Sequence, residues 1–123
     1  MILYCYNVLK SIEHRPVIYT GQYTLQSIDS YISGYYRALL DNGIVTDSNT
    51  NESFFDWIAR KLDYYESTAG WVNMIVANSI GLKPKNVKWR ALLDSTLTRE
   101  QHITSIELFY KLLEEFKIEK NKV

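Results

Sequence analysis

Residues Thr24 to Gly43, TLQSIDSYISGYYRALLDNG, decide the fold class. Leu25, Ile28, Ile32, Tyr35 or Tyr36, and Leu39 recur at three- and four-residue steps. That spacing lines one face of an α-helix. The Thr24 hydroxyl stands where it can cap the first turn. Asp41-Asn42-Gly43 closes the segment, because Gly43 can take the left-handed conformation of a helix end. Gly34 in mid-helix costs roughly 1 kcal/mol against alanine. Close approach of a neighbouring helix is one reason to keep it.

The same spacing extends in both directions. Upstream, Ile2, Cys5, Leu9 and Ile12 form a stripe that Pro16 ends, since the residue before a proline is pushed out of the helical region. Arg15 to Tyr23 is expected as a turn punctuated by Gly21. Within it, Val17-Ile18-Tyr19-Thr20 has the composition of a short strand without an obvious partner. Downstream, the Asn42 to Asn51 loop leads to a helix with Phe54 or Phe55, Ile58, Leu62 and Tyr65 on its apolar face. After the break at Glu66 to Gly70, Trp71, Val72, Ile75, Val76 and Ile80 read as a mostly buried helix ended by Gly81. Leu92 and Leu93 predict one or two helical turns after the basic stretch Lys83 to Arg90. Thr98 with Gln101 fits a capping box. Ile103, Ile106, Phe109, Leu113 and Phe116 make the last helix, with Leu112 flanking the stripe. The charged tail 117–123 is expected to fray. The expected fold is therefore all-α, a compact bundle of five to six helices with short loops, in one domain over residues 1–123.

Composition narrows the function classes. Apolar residues are 46% and charged residues 23%, which excludes wholesale disorder. Fourteen Lys+Arg balance fourteen Asp+Glu. A neutral chain argues against general nucleic-acid or anionic-membrane binding, though a local patch stays open. The single cysteine cannot form an internal disulfide, and with no signal-like start in MILYCYNVLK a reducing, cytoplasmic setting is expected.

Catalytic chemistry finds little footing. Cys5 lies in an apolar stripe, so it reads as a core residue rather than a nucleophile served by His14 or His102. Two histidines and one cysteine, widely spread, match no metal-ligand spacing. Glu114-Glu115 are adjacent on a helix and point in different directions. No phosphate-binding glycine motif is present. The expectation is a protein that is not an enzyme and needs no cofactor.

Charge, by contrast, is unevenly spread. Between Asp41 and Glu66 stand six acids, Asp41, Asp47, Glu52, Asp56, Asp63 and Glu66, against Arg60 and Lys61. Between Gly81 and Arg99 stand Lys83, Lys85, Lys88, Arg90 and Arg99 against Asp94. Opposed patches suit electrostatic steering to a charged protein. Lys83, Lys85, Lys88 and Arg90 with Trp89 also have the make-up of a nucleic-acid grip. The solvated loop anchored by Trp89 is the simpler reading. Ten tyrosines are more than a core of this size buries with satisfied hydroxyls, and tyrosine is enriched at protein interfaces.

Several phrases, in order, carry a resemblance. Arg15-Pro16, Tyr19 and Gly21 form an RPxxYxG turn. Ser27-Ile28, Tyr31-Ile32, Gly34-Tyr35 and Ala38-Leu39 follow. Phe54-Phe55 precede Trp57-Ile58 and Lys61-Leu62; then come Ser67-Thr68-Ala69-Gly70-Trp71 and Met74-Ile75. Phe109, Leu112-Leu113 and Glu115-Phe116 come late. Over roughly residues 2–116 this resembles the small helical immunity proteins of polymorphic bacterial toxin systems, specifically those of contact-dependent growth inhibition. Ile18 departs from the family's usual Met, and Asp63 from a frequent glycine; Lys83 to Arg90 reads as additional material.

The resemblance implies a cytoplasmic antitoxin. It would bind the C-terminal toxin domain, an RNA-cleaving nuclease, and block its active site or substrate surface. It would make no direct contact with nucleic acid or membrane, and a translation factor is a conceivable third member of the complex. The acidic residues Asp41, Asp47, Glu52, Asp56, Asp63 and Glu66 are the expected toxin contacts. Arg15, Pro16, Tyr19, Gly21, Gly34, Tyr35, Trp57, Gly70 and Trp71 are expected to be structural. A helical interaction or regulatory subunit, and a nucleic-acid-binding regulator using Lys83 to Arg90, are the alternatives.

Overall fold

The computed structural model describes residues 1–46, 52–64 and 70–121. Among the described residues there is no strand, and the all-α class expected from the spacing is what the chain adopts. Contacts group the helices into two compact units, Met1–Ser53 and Phe54–Val123.

In the first unit, a 3₁₀ turn over Ile2–Cys5 leads into α1 (Tyr6–Ile12), followed by α2 (Pro16–Thr20) and α3 (Leu25–Asp41). The turn packs on α1 and α3, and α2 packs on α3. The predicted stripes are the buried ones: Ile2, Cys5, Leu9 and Ile12, then Leu25, Ile28 and Ile32. Of the two candidate tyrosines Tyr36 turns inward, its ring stacked 6.1 Å from Tyr4, while Tyr35 stays exposed.

Residues 16–20 correct the expected turn. Pro16 both stops α1 and starts α2. At the first helical position its missing N–H is no loss and its fixed φ already suits a helix. Gly21 closes α2 at φ +78°, its N–H donating to the Val17 carbonyl at 2.9 Å.

The ends of α3 follow the sequence closely. Thr24 Oγ1 accepts from the Ser27 N–H at 3.0 Å. At the far end Ile44 N–H donates to Leu39 O at 2.9 Å and Gly43 N–H to Leu40 O at 3.1 Å, with Gly43 at φ +68°. This pair of bonds satisfies carbonyls that every helix end leaves over. Among the described residues, a Cβ built at Gly34 meets nothing within 4 Å. Gly34→Ala is therefore expected to raise stability by about 0.5–1 kcal/mol, read as a higher urea midpoint at unchanged slope.

The second unit holds α4 (Phe54–Leu62), α5 (Trp71–Ser79), a 3₁₀ turn at Pro84–Asn86, α6 (Trp89–Asp94) and α7 (Arg99–Asn121). α5 packs against both α4 and α7. An aromatic cluster fills the space between them. Phe54, the inward one of its pair, meets Trp71 and Phe116 edge-on at 5.2 Å, and Trp71 stacks on Phe109 at 5.2 Å. Gly81 ends α5 at φ +84°, with Leu82 N–H donating to Ala77 O at 3.0 Å. Thr98 and Gln101 exchange hydrogen bonds across the start of α7, the capping box the sequence predicts.

Two details go beyond the expected pattern. Asp63 ends α4 at φ +66°, the non-glycine residue with positive φ among those described, and lets Tyr64 N–H reach Ala59 O at 2.8 Å. Glycine adopts this conformation without a Cβ penalty. Asp63→Gly is expected to stabilise by about 0.5–1 kcal/mol by that reasoning, measurable in the same urea assay. Second, α7 is helical through Asn121. Glu119 accepts a hydrogen bond from Trp57 Nε1 and pairs with Arg60 at 3.7 Å, while Lys120 Nζ lies 5.5 Å over the Phe116 ring. Lys122 and Val123 lie outside the described residues, as does Tyr65, expected on the α4 face.

Candidate interaction surfaces

Four of the six acidic residues expected to meet a partner are among the described residues. Asp41 ends α3 and is exposed, with one oxygen 3.0 Å from Arg37 Nε. Glu52 is half-buried ahead of α4. Asp56 is exposed in the first turn of α4, where a carboxylate is favoured by the helix dipole. Asp63, also exposed, occupies the strained end of the same helix. Asp41 and Glu52 belong to the first unit, Asp56 and Asp63 to the second. Asp47 and Glu66 lie outside the described residues.

The residues expected to be structural divide. Pro16, at the start of α2, and Trp57 are buried, and Trp71 packs within the aromatic cluster half-buried. Gly21 and Gly70 hold positive φ at the end of α2 and the start of α5. Arg15, Tyr19, Gly34 and Tyr35 are exposed.

Cys5 behaves as the core residue it was expected to be. It is fully buried, and its Sγ–H donates to the Ile32 carbonyl at 3.8 Å. Burial pushes its thiol up to about 11, away from the reactive thiolate. The native thiol thus keeps a proton that the unfolded chain releases from 9.0 upward. Its contribution is complete below that value and is lost as pH rises through the folded one. Tyr64 is raised in the same sense by burial. Stability is accordingly expected to fall from about pH 9 to 11, with a shallower slope in Cys5→Ala. His14 is exposed. His102 Nδ1 is buried with no hydrogen-bond partner among the described residues. No group of three or more His, Cys, Asp or Glu among the described residues is placed to hold a metal ion.

Sequence reasoning missed an exposed apolar row. On α2, Val17, Ile18 and Tyr19 are 48%, 68% and 50% exposed. Beside them an open groove of about 500 Å³ is lined by Tyr19, Thr20, Gln22, Gln26, Ser27, Ser30 and Tyr31. The Thr20 hydroxyl donates to Gln22 O at 2.8 Å and accepts from Ser27 Oγ at 3.1 Å. The available signal was local. Consecutive helical residues point about 100° apart, so three apolar residues in a row on one short helix cannot all face the interior.

In the second unit, a groove of about 270 Å³ runs along Trp57, Arg60, Lys61, Glu115, Ile118 and Glu119. Lys61 sits 3.6 Å from Glu115 and 5.8 Å over the Trp57 ring. Its charges are matched within the unit, so it reads as a clamp between α4 and α7. Lys83, Lys85, Lys88 and Arg90 are all exposed, whereas Trp89 is half-buried with its ring 5.6 Å from Tyr64.

Among the described residues no helix is long and apolar enough to cross a membrane. Compared with protein-family models, with curated proteins and with solved structures, the chain matches none.

Proposed function

We propose that this chain is an immunity protein that binds the C-terminal domain of a polymorphic toxin of the contact-dependent growth inhibition type and blocks its active site or substrate surface. The observation that carries a binding role is the exposed row Val17-Ile18-Tyr19 on α2, directly after Arg15-Pro16. Apolar and tyrosine side chains held outward on a short helix that Pro16 starts and Gly21 closes suit the centre of a protein interface. The order of short phrases from Arg15-Pro16 to Glu115-Phe116 supports the toxin-linked reading of the partner. An RNA-cleaving toxin presents a basic phosphate-binding cleft, which the exposed acids Asp41, Asp56 and Asp63 would attract. The antitoxin belongs in the cytoplasm, where such an RNA target is cut.

An antidote to a catalytic poison needs nanomolar binding, about −12 kcal/mol. A standard interface of roughly 1,600 Å² with a few aromatic anchors supplies that. The test is calorimetric titration against the C-terminal domain encoded by the gene immediately upstream. Nanomolar one-to-one binding, absent with a non-cognate toxin domain, is the expected result. No heat and no complex would overturn the reading.

A further inference from the structure

The basic segment between α5 and α6 is arranged unlike the other charged stretches of its unit. Arg60 and Lys61 on α4 stand within 4 Å of Glu119 and Glu115. Lys83, Lys85, Lys88 and Arg90 are exposed and form no ion pair with any described residue. Asp94, at the end of α6, is the nearest acid in sequence.

These four charges sit on backbone that is held at both ends. Leu82 N–H donates to Ala77 O at 3.0 Å, and the Leu82 carbonyl accepts from the buried Tyr64 hydroxyl at 2.8 Å. Pro84 sets the 3₁₀ turn that follows. Trp89 then presses edge-on against the same Tyr64 ring. Tyr64 thus ties down the residue before Lys83 and the residue between Lys88 and Arg90. Cations on a fixed backbone lose less conformational freedom on binding than cations on a loose one.

We propose that Lys83, Lys85, Lys88 and Arg90 form a binding site for the phosphate backbone of nucleic acid. Trp89, the side chain that would stack on a base or anchor a protein partner, is already engaged by Tyr64. What remains outward is a set of side chains that read charge, not base identity. Binding is therefore indifferent to base sequence and governed by counterion release. The chain has no net charge, so the attraction has to come from local positive charge such as that of this segment. The site uses none of the α2 residues and does not depend on the toxin-binding reading.

Fluorescence anisotropy of the full chain with a labelled 20-base-pair duplex and an RNA hairpin of similar length provides the test. Four phosphate contacts predict a slope of log K on log salt of about −3.6 for the duplex, or roughly a hundredfold loss between 50 and 200 mM salt. Micromolar binding at the lower salt is expected for both probes. The triple variant Lys85→Ala, Lys88→Ala, Arg90→Ala should flatten the slope to about −1 while its circular dichroism stays that of the parent. Arg37→Ala with Lys111→Ala, on α3 and α7, should leave binding within twofold. Absent binding at 50 mM salt, a slope near zero, or a triple variant that binds like the parent would each overturn the proposal. So would equal affinity for polyglutamate, which would assign the segment to an acidic protein.

Discussion

Trp57→Ala is expected to cost about 4 kcal/mol, the range for deleting a buried large aromatic side chain. The residue is 2% exposed and sits at the meeting of α4 and α7. Its ring stacks on Phe54 at 6.1 Å and meets Phe116 edge-on at 5.3 Å. Phe54 in turn touches Trp71, Phe109 and Phe116, so the hole left by the indole opens onto the whole aromatic cluster. The same substitution strips Glu119 of the Nε1 hydrogen bond, loosening the last turns of α7. Against a typical total of about 5–15 kcal/mol, that loss leaves a sizeable unfolded fraction at 37 °C. Trp57→Phe separates the two causes. It keeps most of the apolar area and loses the donor, and should cost nearer 1–2 kcal/mol. Urea unfolding followed by circular dichroism reads both. A Trp57→Ala midpoint within error of the parent would mean that the cluster does not hold the second unit together.

The helices were legible because each rests on short-range rules that a single chain displays. Thr24, Gly43, Gly81 and the Thr98/Gln101 pair are local hydrogen-bond devices, and each acts where its position predicts. The stripes of α1, α3 and α7 were equally plain, since a repeated face over two or more turns has few alternatives. What failed was shorter than the period that reveals it. Residues 16–20 span little more than one turn, so Val17-Ile18-Tyr19 carries no periodicity, and a proline that ends one helix can equally start the next. Gly34 is a different case: whether a neighbour approaches a glycine is decided by tertiary packing, of which the sequence holds no trace. The acidic stretch from Asp41 to Glu66 looked continuous along the chain. Its described members belong to two packing units, Asp41 and Glu52 to the first and Asp56 and Asp63 to the second.

Ile18→Asp is expected to weaken binding of the upstream-encoded toxin domain by about a hundredfold, roughly 2.7 kcal/mol, while leaving stability within about 0.5 kcal/mol of the parent. Ile18 is the most exposed of the α2 apolar row, and its side chain gives the free protein little buried area to lose. In a complex the same position becomes the burial of a carboxylate in an apolar patch, which costs unless a partner pairs it. The kinetic signature separates this surface from the acidic residues. Loss of a central apolar contact speeds dissociation and is insensitive to salt. Reversing Glu52 and Asp56 to lysine should instead slow association, most at low ionic strength, because those charges act before contact forms. Surface plasmon resonance on both variants at two salt concentrations distinguishes the effects. If Ile18→Asp binds within twofold of the parent, α2 is not the contact. If only the charge reversals matter, the acids carry both steering and adhesion, and the exposed row on α2 is left without a role in recognition.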